Sequence, residues 1–419
     1  MEGKETKSEK KEEIIEKGRI FSEENVNVGH QPEIDYFKTF ITILIIVVHV
    51  YSYFNIGYFG YFVYTLIQIL GAPGCQIQTG IGMKYTRHHE ISNYVSRGIV
   101  LLTMGQYINL IRNGIPSLIA WWITGDKLFI SRVLLFLQTD VLHFAGLSFL
   151  LIALLKKQKL SDISILIFAI IMNSCAFLIY KIIKSPDNYL LSQFIGFFVF
   201  TTNTESILPF CSYFIFIALG HWFGGILQKV SNKDKFYNLI LIICLPITLI
   251  YYCLRACYEF PILPPFLTQE LYSLNPIPDS IIFFMSNIAS LAVFHKIHTC
   301  LKGKTPEFVK HTSRNFTQYY MVGYVITMQM YTYMKVTRGE KSTFELKYPT
   351  ILGLMLVIIC RILIDINNKY IHFTIINLKN PTRNLVFALI WIMTIIILIY
   401  TYPKVECYTT QWNFYYCEK

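Results

Sequence analysis

Residues 31–56 read QPEIDYFKTFITILIIVVHVYSYFNI, a polar start that runs into a long apolar stretch. About 20 such residues cross the roughly 30 Å hydrocarbon core of a bilayer as an α-helix, so the stretch predicts a membrane span. His49 lies about two-thirds of the way along it. A histidine at that depth must pair with a neighbouring helix or line a polar cavity, which makes it a candidate functional residue. A hydrogen bond to a facing helix for packing alone is the alternative.

The composition extends this interpretation to the whole chain of 419 residues, of which 54% are hydrophobic and 15% charged. A soluble core of this size uses fewer apolar segments, so the composition predicts an all-α, polytopic integral membrane protein surrounded by a lipid bilayer. We expect about eleven transmembrane helices. The predicted spans are residues 36–56, 61–83, 98–112, 141–155, 163–183, 207–228, 236–255, 280–297, 315–335, 347–366 and 384–402.

The formal net charge of +11 comes largely from basic residues in the short connections between the predicted spans. Cytosolic loops of membrane proteins carry such an excess of Lys and Arg, so topology explains the charge and nucleic acid is not an expected partner. The distribution places the N-terminus in the cytosol and the C-terminus in the extracellular space or a lumen. It leaves the identity of the membrane open.

Three regions follow from these patterns. Residues 1–30 mix Lys and Glu with few aromatic residues and predict a mobile cytosolic segment. Residues 31–402 form the transmembrane domain, and residues 403–419 form an outer or lumenal tail. The ten cysteines include no CxxC pair, so no metal site is expected. Cys407 and Cys417 lie in the tail, and the sequence leaves open whether they form a disulfide or remain two free thiols.

The second predicted span ends in a glycine-rich stretch at residues 70–90, LGAPGCQIQTGIGMKYTRHHE. Glycines within a span permit close approach of helix backbones or open a cavity. The loop that follows carries Arg87, and Arg97 comes soon after it. Two interpretations of these arginines are open, a cytosolic anchor and a cationic rim that binds phosphates, for which the guanidinium group is well shaped.

Two further sites carry candidate functional groups. Asp140 and His143 open the fourth span with i, i+3 spacing, which places a carboxylate and an imidazole on one helix face. Such a pair fixes the histidine tautomer and raises its basicity, which suits catalysis as well as structure. Arg314 directly precedes the ninth span, where a helix N-terminus attracts anions.

The first span also resembles a known family. Residues 32–50, PEIDYFKTFITILIIVVHV, resemble the opening helix of membrane acyltransferases of the acyltransferase-3 type, in which an arginine precedes a catalytic histidine. Lys38 stands at the arginine position and His49 at the histidine position. Lysine keeps the positive charge but lacks the planar fork of arginine.

Three later stretches are similar to the related heparan-α-glucosaminide N-acetyltransferase catalytic-domain proteins, also called the transmembrane acyltransferase superfamily. They are LGAPGCQIQTGIGMKYTRHHEISNYVSRGIVLLTMGQYIN at 70–109, TDVLHFAGLSFLLIALLKK at 139–157 and TSRNFTQYYMVGYVI at 312–326. The histidine that follows the first span of the lysosomal heparan enzyme has no counterpart here, so heparan sulfate is not implied as the acceptor.

The resemblance implies transfer of an acyl group from cytosolic acetyl-CoA, or another acyl-CoA, to a hydroxyl or amine of a carbohydrate-type acceptor on the far side of the membrane. It implies His49 as the catalytic base, with Asp140 and His143 as further catalytic residues. The residues expected to bind the donor are Lys38, Arg87, Arg97 and Arg314. The acceptor, the length of the acyl chain and a homodimeric state are left open.

A different class of protein remains compatible with the same residues. In a secondary transporter or channel, buried histidine and aspartate would form a proton relay. His49, Asp140 and His143 would then line a pathway across the membrane and would carry no acyl-transfer chemistry.

Overall fold

The structure is a computed structural model, and it describes residues 19–53, 66–182, 188–200, 208–257, 274–338, 348–371, 380–405, 407–409 and 415–417. Helices dominate these residues. They are α1 (Pro32–Tyr53), α2 (Ala72–Tyr85), α3 (Ile91–Asn109), α4 (Ile115–Thr124), α5 (Lys127–Val133), α6 (Val141–Lys157), α7 (Asp162–Ile182), α8 (Tyr189–Phe198), α9 (Phe210–Gln228), α10 (Lys233–Cys257), α11 (Ile277–Cys300), α12 (Glu307–Arg314), α13 (Phe316–Arg338), α14 (Pro349–Ile366) and α15 (Asn380–Thr401).

Short irregular elements connect some of these helices. A π-helical turn, Leu110–Gly114, joins α3 to α4, and a 3₁₀ turn, Leu134–Leu137, follows α5. A second π-helical turn, Asn367–Ile371, extends α14. Two antiparallel strands, β1 (Cys407–Thr409) and β2 (Tyr415–Cys417), end the described chain.

The architecture is that of an integral membrane protein. In the part of the chain that the structure describes, eight helical stretches are long and apolar enough to cross a bilayer. They comprise α1, the stretch from α5 through α6, α7, α9, α10, α11, α14 and α15. This confirms the predicted helical, membrane-spanning class. The predicted count of about eleven spans is not confirmed.

Helix α1 is central to the bundle. It packs against α11, α12, α13 and α14, and Phe37 and Ile41 on its inner face are fully buried. Burial of large apolar side chains of this kind is worth roughly 1.5–3 kcal/mol each when they leave water, and in a bilayer the same surfaces hold helices together through close packing. Residues on α1 are therefore held in fixed positions relative to four other helices.

The described part of the N-terminal segment, residues 19–30, contacts the end of α9 and the start of α10. The Ser22 amide donates to the Lys229 carbonyl, and the Asn27 amide donates to the Gln228 carbonyl. The Phe21 ring meets the Phe236 ring edge-on at 5.7 Å between centroids. The aromatic ring and these backbone bonds fix the segment on the end of α9, and the surrounding charges do not reveal this. Residues 1–18 lie outside the described residues.

Two helix pairs approach closely at glycines. In the contact between α2 and α9, a Cβ atom on Gly80 would overlap the Ile217 carbonyl oxygen, and one on Gly220 would overlap the Ile77 carbonyl oxygen. In the contact between α3 and α6, a Cβ on Gly98 would lie 2.8 Å from the Gly146 oxygen. The glycine-rich second span therefore serves close backbone packing, as its sequence predicts.

The C-terminal tail forms the two-stranded hairpin of β1 and β2. In its register Cys407 lies opposite Cys417 along the backbone. Their side chains lie outside the described residues, so the choice between a disulfide and two thiols stays open.

We predict that Gly80→Ala destabilises the protein by about 1–3 kcal/mol or more, because the added methyl group overlaps backbone that cannot move without separating α2 from α9. Gly82→Ala on the same helix is the matched control, since a Cβ there meets no atom within 4 Å and alanine favours helix. Thermal unfolding of both variants in detergent measures the difference. Equal midpoints for the two variants would contradict the close contact.

A buried polar cluster as the candidate active site

A buried ion pair links the π-helical turn that follows α3 to the start of α6. The Nη1 of Arg112 lies 3.1 Å from the Oδ2 of Asp140, and its Nη2 donates to the Gln138 Oε1 at 2.9 Å. Arg112 is 1% exposed and Asp140 4% exposed. An uncompensated charge in such a place is strongly unfavourable, so the two residues depend on each other.

The π-helical turn Leu110–Gly114 positions Arg112. Such turns insert one residue into an α-helix, change the direction of side chains and leave carbonyl groups without their usual partners. Here the side chain of Gln329 on α13 donates to the Ile111 carbonyl at 2.8 Å. Asn109 donates to the Gln138 carbonyl at 2.6 Å and thereby holds the segment before α6 against α3. Hydrogen bonds to α13 and to the segment before α6 therefore hold the π-helical turn in place.

Asp140 is the N-cap of α6. Its Oδ1 accepts from the Leu142 amide at 3.0 Å, and its Oδ2 accepts from the Tyr320 hydroxyl at 2.6 Å in addition to Arg112. Aspartate is a preferred N-cap because its carboxylate satisfies amides of the first helical turn. The carboxylate thus joins α3, α6 and α13 at one point.

The predicted pairing between the carboxylate of Asp140 and the imidazole of His143 is wrong in detail. The Nδ1 of His143 accepts from the backbone amide of Asp140 at 3.2 Å, and the carboxylate is directed to Arg112 and Tyr320. The two residues form a capping box, in which the i, i+3 spacing closes the helix end. Gly105 leaves room for the ring, since a Cβ there would lie 2.7 Å from His143 Nδ1.

His49 lies beside this network. Its imidazole stacks on the Tyr324 ring, with 3.8 Å between centroids and 8° between planes. The Arg112 guanidinium carbon lies 4.2 Å from the centre of the same ring. Two groups this close to one ring centre cannot share a face, so Tyr324 separates the imidazole from the cation. The Tyr320 ring is 6.3 Å from His49.

One nitrogen of the His49 imidazole, Nδ1, is buried and makes no hydrogen bond with any described residue, while the side chain as a whole is partly exposed. Buried polar atoms are paired in nearly all native structures. An orphaned imidazole nitrogen beside an ion pair therefore points to a ligand or a proton-transfer role.

The predicted catalytic residues lie at one level of the bundle. His49 is 17 residues from Pro32 at the start of α1, and Asp140 is 17 residues from Lys157 at the end of α6. At 1.5 Å per residue, each lies about 26 Å along the axis from that helix end, so the two residues lie at a similar level of the bundle. The structure therefore brings His49, Asp140 and His143 together, as expected, but through Arg112 and Tyr320.

Two of the predicted donor-binding arginines flank a small cavity of about 100 Å³ between the end of α2 and the start of α3. Arg97 and His88 line it, and the exposed Arg87 is adjacent to His88. Lys156 donates to the Tyr94 hydroxyl in its wall at 2.6 Å. The region is cationic, as a phosphate-binding rim requires.

The positive charge of this rim affects a neighbouring histidine. Burial, together with the ammonium groups of Lys156 and Lys84, lowers the pKa of His89 below its ordinary value. A depressed pKa keeps the imidazole neutral at pH 7, because a further positive charge is unfavourable there. An anion bound at the rim would favour the protonated form.

Lys38 and Arg314 lie in a second neighbourhood, around Asp35. Ser313 donates to Asp35 Oδ1 at 2.5 Å, and His30 Nε2 lies 2.8 Å from Asp35 Oδ2. Arg314 is exposed next to Ser313, and Lys38 is partly exposed on the following turn of α1. Among the described contacts, none joins this pair to Arg87 or Arg97.

Sequence analysis missed Arg112, Gln138, Tyr320 and Tyr324. Arg112 stands at the end of the predicted span 98–112, where an arginine side chain ordinarily extends to the membrane interface, so its position in the sequence did not indicate burial. Tyr320 and Tyr324 have helical i, i+4 spacing, but nothing in the local sequence identifies their partners on other helices.

Among the described residues, no group of three His, Cys, Asp or Glu side chains is placed to hold a metal ion. Comparisons of the chain with protein-family models, curated proteins and solved structures found no match.

We predict that Arg112→Leu and Asp140→Leu each destabilise the protein by about 3–5 kcal/mol, because each leaves the partner's charge buried and unpaired. The double variant should lose less than the sum of the two single losses, since it leaves no lone charge. Chemical or thermal unfolding of all four members of the cycle measures this.

The matched control is Arg361→Gln, which removes an exposed i, i+4 pair with Asp365 at 3.7 Å. It should cost about 0–1 kcal/mol. Additive losses in the double variant would show that Arg112 and Asp140 are not coupled.

Proposed function

We propose that the protein is a membrane-embedded acyltransferase. It moves an acyl group, acetyl in the first instance, from acyl-CoA on the cytosolic side to a hydroxyl or amine of a carbohydrate-type acceptor on the far side. The proposal rests on the resemblance of residues 32–50 and of three later stretches to membrane acyltransferases, and on the geometry around His49.

The orphaned imidazole of His49 carries the proposal. In acyl transfer, the acceptor oxygen or nitrogen attacks the thioester carbonyl carbon, the carbon–sulfur bond breaks, and the acceptor's proton must leave. His49 takes that proton and passes it to the departing thiolate, so that CoA leaves as the thiol. A partly exposed imidazole with an unpaired nitrogen has the required capacity.

The surrounding residues position this base. Tyr324 holds the imidazole plane on one face and meets Arg112 on the other. Arg112 and the Tyr320 hydroxyl both donate to Asp140, and this fixed network holds Tyr324, and with it the imidazole of His49, in place. Asp140 balances the guanidinium charge and holds both donors in place.

The donor enters from the cationic rim. Arg87 and Arg97 bind the phosphates of the nucleotide, and Lys38 with Arg314 provides positive charge near the start of α1. Lys38 and His49 are eleven residues apart on α1, about 17 Å along the helix. This length suits an extended pantetheine arm that brings the thioester to His49.

In this proposal the chain crosses the membrane eleven times, with its N-terminus in the cytosol. Helices α2, α3 and α13 supply the three crossings beyond the eight most apolar ones. They carry buried polar residues such as Gln76, Gln106 and Tyr320, which lower their mean hydropathy.

Proton or ion transport is the second candidate. The observation in its favour is the ion pair of Arg112 and Asp140 at membrane depth, since such residues also mark transport pathways. A transporter would move its substrate across vesicles without releasing CoA thiol.

We predict that His49→Asn lowers acyl transfer by about 10²–10⁴-fold, the contribution of a general base, while the protein still binds acyl-CoA. The matched control is His221→Asn, which replaces a fully buried histidine in another span. Release of CoA thiol, measured with a panel of sugars and amines as acceptors, gives the rates. Near-normal turnover in His49→Asn, or equal losses in both variants, would contradict the assignment.

A further inference from the structure

A groove beside α13 does not belong to the polar cluster. A cavity of about 380 Å³ lies between α3, α13 and α14. This volume falls within the range of ligand-binding cavities. Its middle is apolar and is lined by Ile108, Met321 and Val325. Three of its polar lining residues, Thr317, Gln318 and Asn367, belong to the first turn of α13 and to the end of α14, so the cavity is polar near one end.

A second cavity of about 410 Å³ continues along α13 and reaches α4. Ile111 lines both cavities. Together they follow α13 from Thr317 to Val336, about 29 Å along the helix axis. This is about the thickness of the hydrocarbon core of a bilayer, so the two cavities together extend over the depth of both leaflets.

The groove opens towards the bilayer. Ile123 and Tyr333 at the rim of the second cavity are each 71% exposed, and Leu363 at the first cavity is 42% exposed. Large apolar side chains exposed in membrane-spanning segments contact lipid tails. The apolar part of any occupant can therefore enter sideways from the membrane.

The polar end of the groove is positively charged. Arg314 is exposed three residues before Thr317, and Lys369 is exposed two residues beyond Asn367. The N-terminus of α13, a 23-residue helix, adds a partial positive charge at the same end. Basic residues next to a membrane attract anionic lipid headgroups by about 1 kcal/mol each.

We propose that this groove binds an anionic phospholipid of the surrounding bilayer. One acyl chain lies in the cavity between α3, α13 and α14, and the phosphate-bearing headgroup lies at Thr317, Gln318 and Asn367, facing Arg314 and Lys369. The lipid site requires no acyl transfer, because it lies along the lipid-facing side of α13, and it shares only Arg314 with the proposed donor-binding residues.

The test is photolabelling of the full chain in nanodiscs with a phospholipid that carries a diazirine in its acyl chain. Phosphatidylglycerol and phosphatidylcholine forms of the probe are compared, and labelled peptides are mapped. Wild-type protein should be labelled on α3, α13 and α14 above the level of other lipid-facing helices, with the phosphatidylglycerol probe preferred.

Val325→Trp fills the cavity and should abolish this labelling. Ile396→Trp, at a 59% exposed position on α15, is the matched control and should leave it unchanged. Lys369→Ala should reduce the preference for phosphatidylglycerol by about fivefold, the effect of one basic residue near the membrane. Uniform labelling of all lipid-facing helices, labelling that survives Val325→Trp, or equal labelling by both probes would overturn the proposal.

Discussion

The ion pair of Arg112 and Asp140 is the interaction on which the interior of this membrane protein depends. Neither charge is stable alone in a region without water. Their pairing fixes the π-helical turn after α3 against the N-cap of α6, and the Tyr320 hydroxyl extends it to α13. Tyr324 makes a cation–π contact with Arg112 and stacks on the imidazole of His49, so it links the positions of these two side chains. These contacts fix the positions of α1, α3, α6 and α13 relative to one another at one level of the bundle.

Much of the fold was predictable from the sequence because long apolar runs have few alternatives to membrane helices. The depth of His49 follows from its position within such a run. The role of Asp140 was harder to predict, because i, i+3 spacing indicates a shared face but not which groups bond. At an N-cap the carboxylate turns to the amides of the first turn, and the imidazole closes the capping box. The contacts of residues 19–30 also escaped prediction, since their partners near Lys229 lie about 200 residues away along the chain.

Arg112 was missed for a physical reason. It stands at the end of the predicted span 98–112, where arginine side chains ordinarily extend to the membrane interface. The π-helical turn and the 3₁₀ turn at Leu134–Leu137 enclose it instead, and both are irregular elements without a reliable local signal. The same enclosure brings a guanidinium, a carboxylate, two tyrosines and an imidazole together in the interior, where electrostatic interactions are stronger than in water.

The central claim is that a CoA thioester reaches this cluster from the cationic rim, and calorimetric titration of the wild-type protein with acetyl-CoA tests it most directly. The account predicts saturable binding that Arg97→Glu weakens by about 1.5–3 kcal/mol, with a smaller effect at high salt, because the contact is charge-assisted. Lys404→Glu, a charge reversal just beyond the far end of α15, should leave the affinity unchanged. Absence of acetyl-CoA binding in the wild type, or equal weakening by the two reversals, would contradict the account.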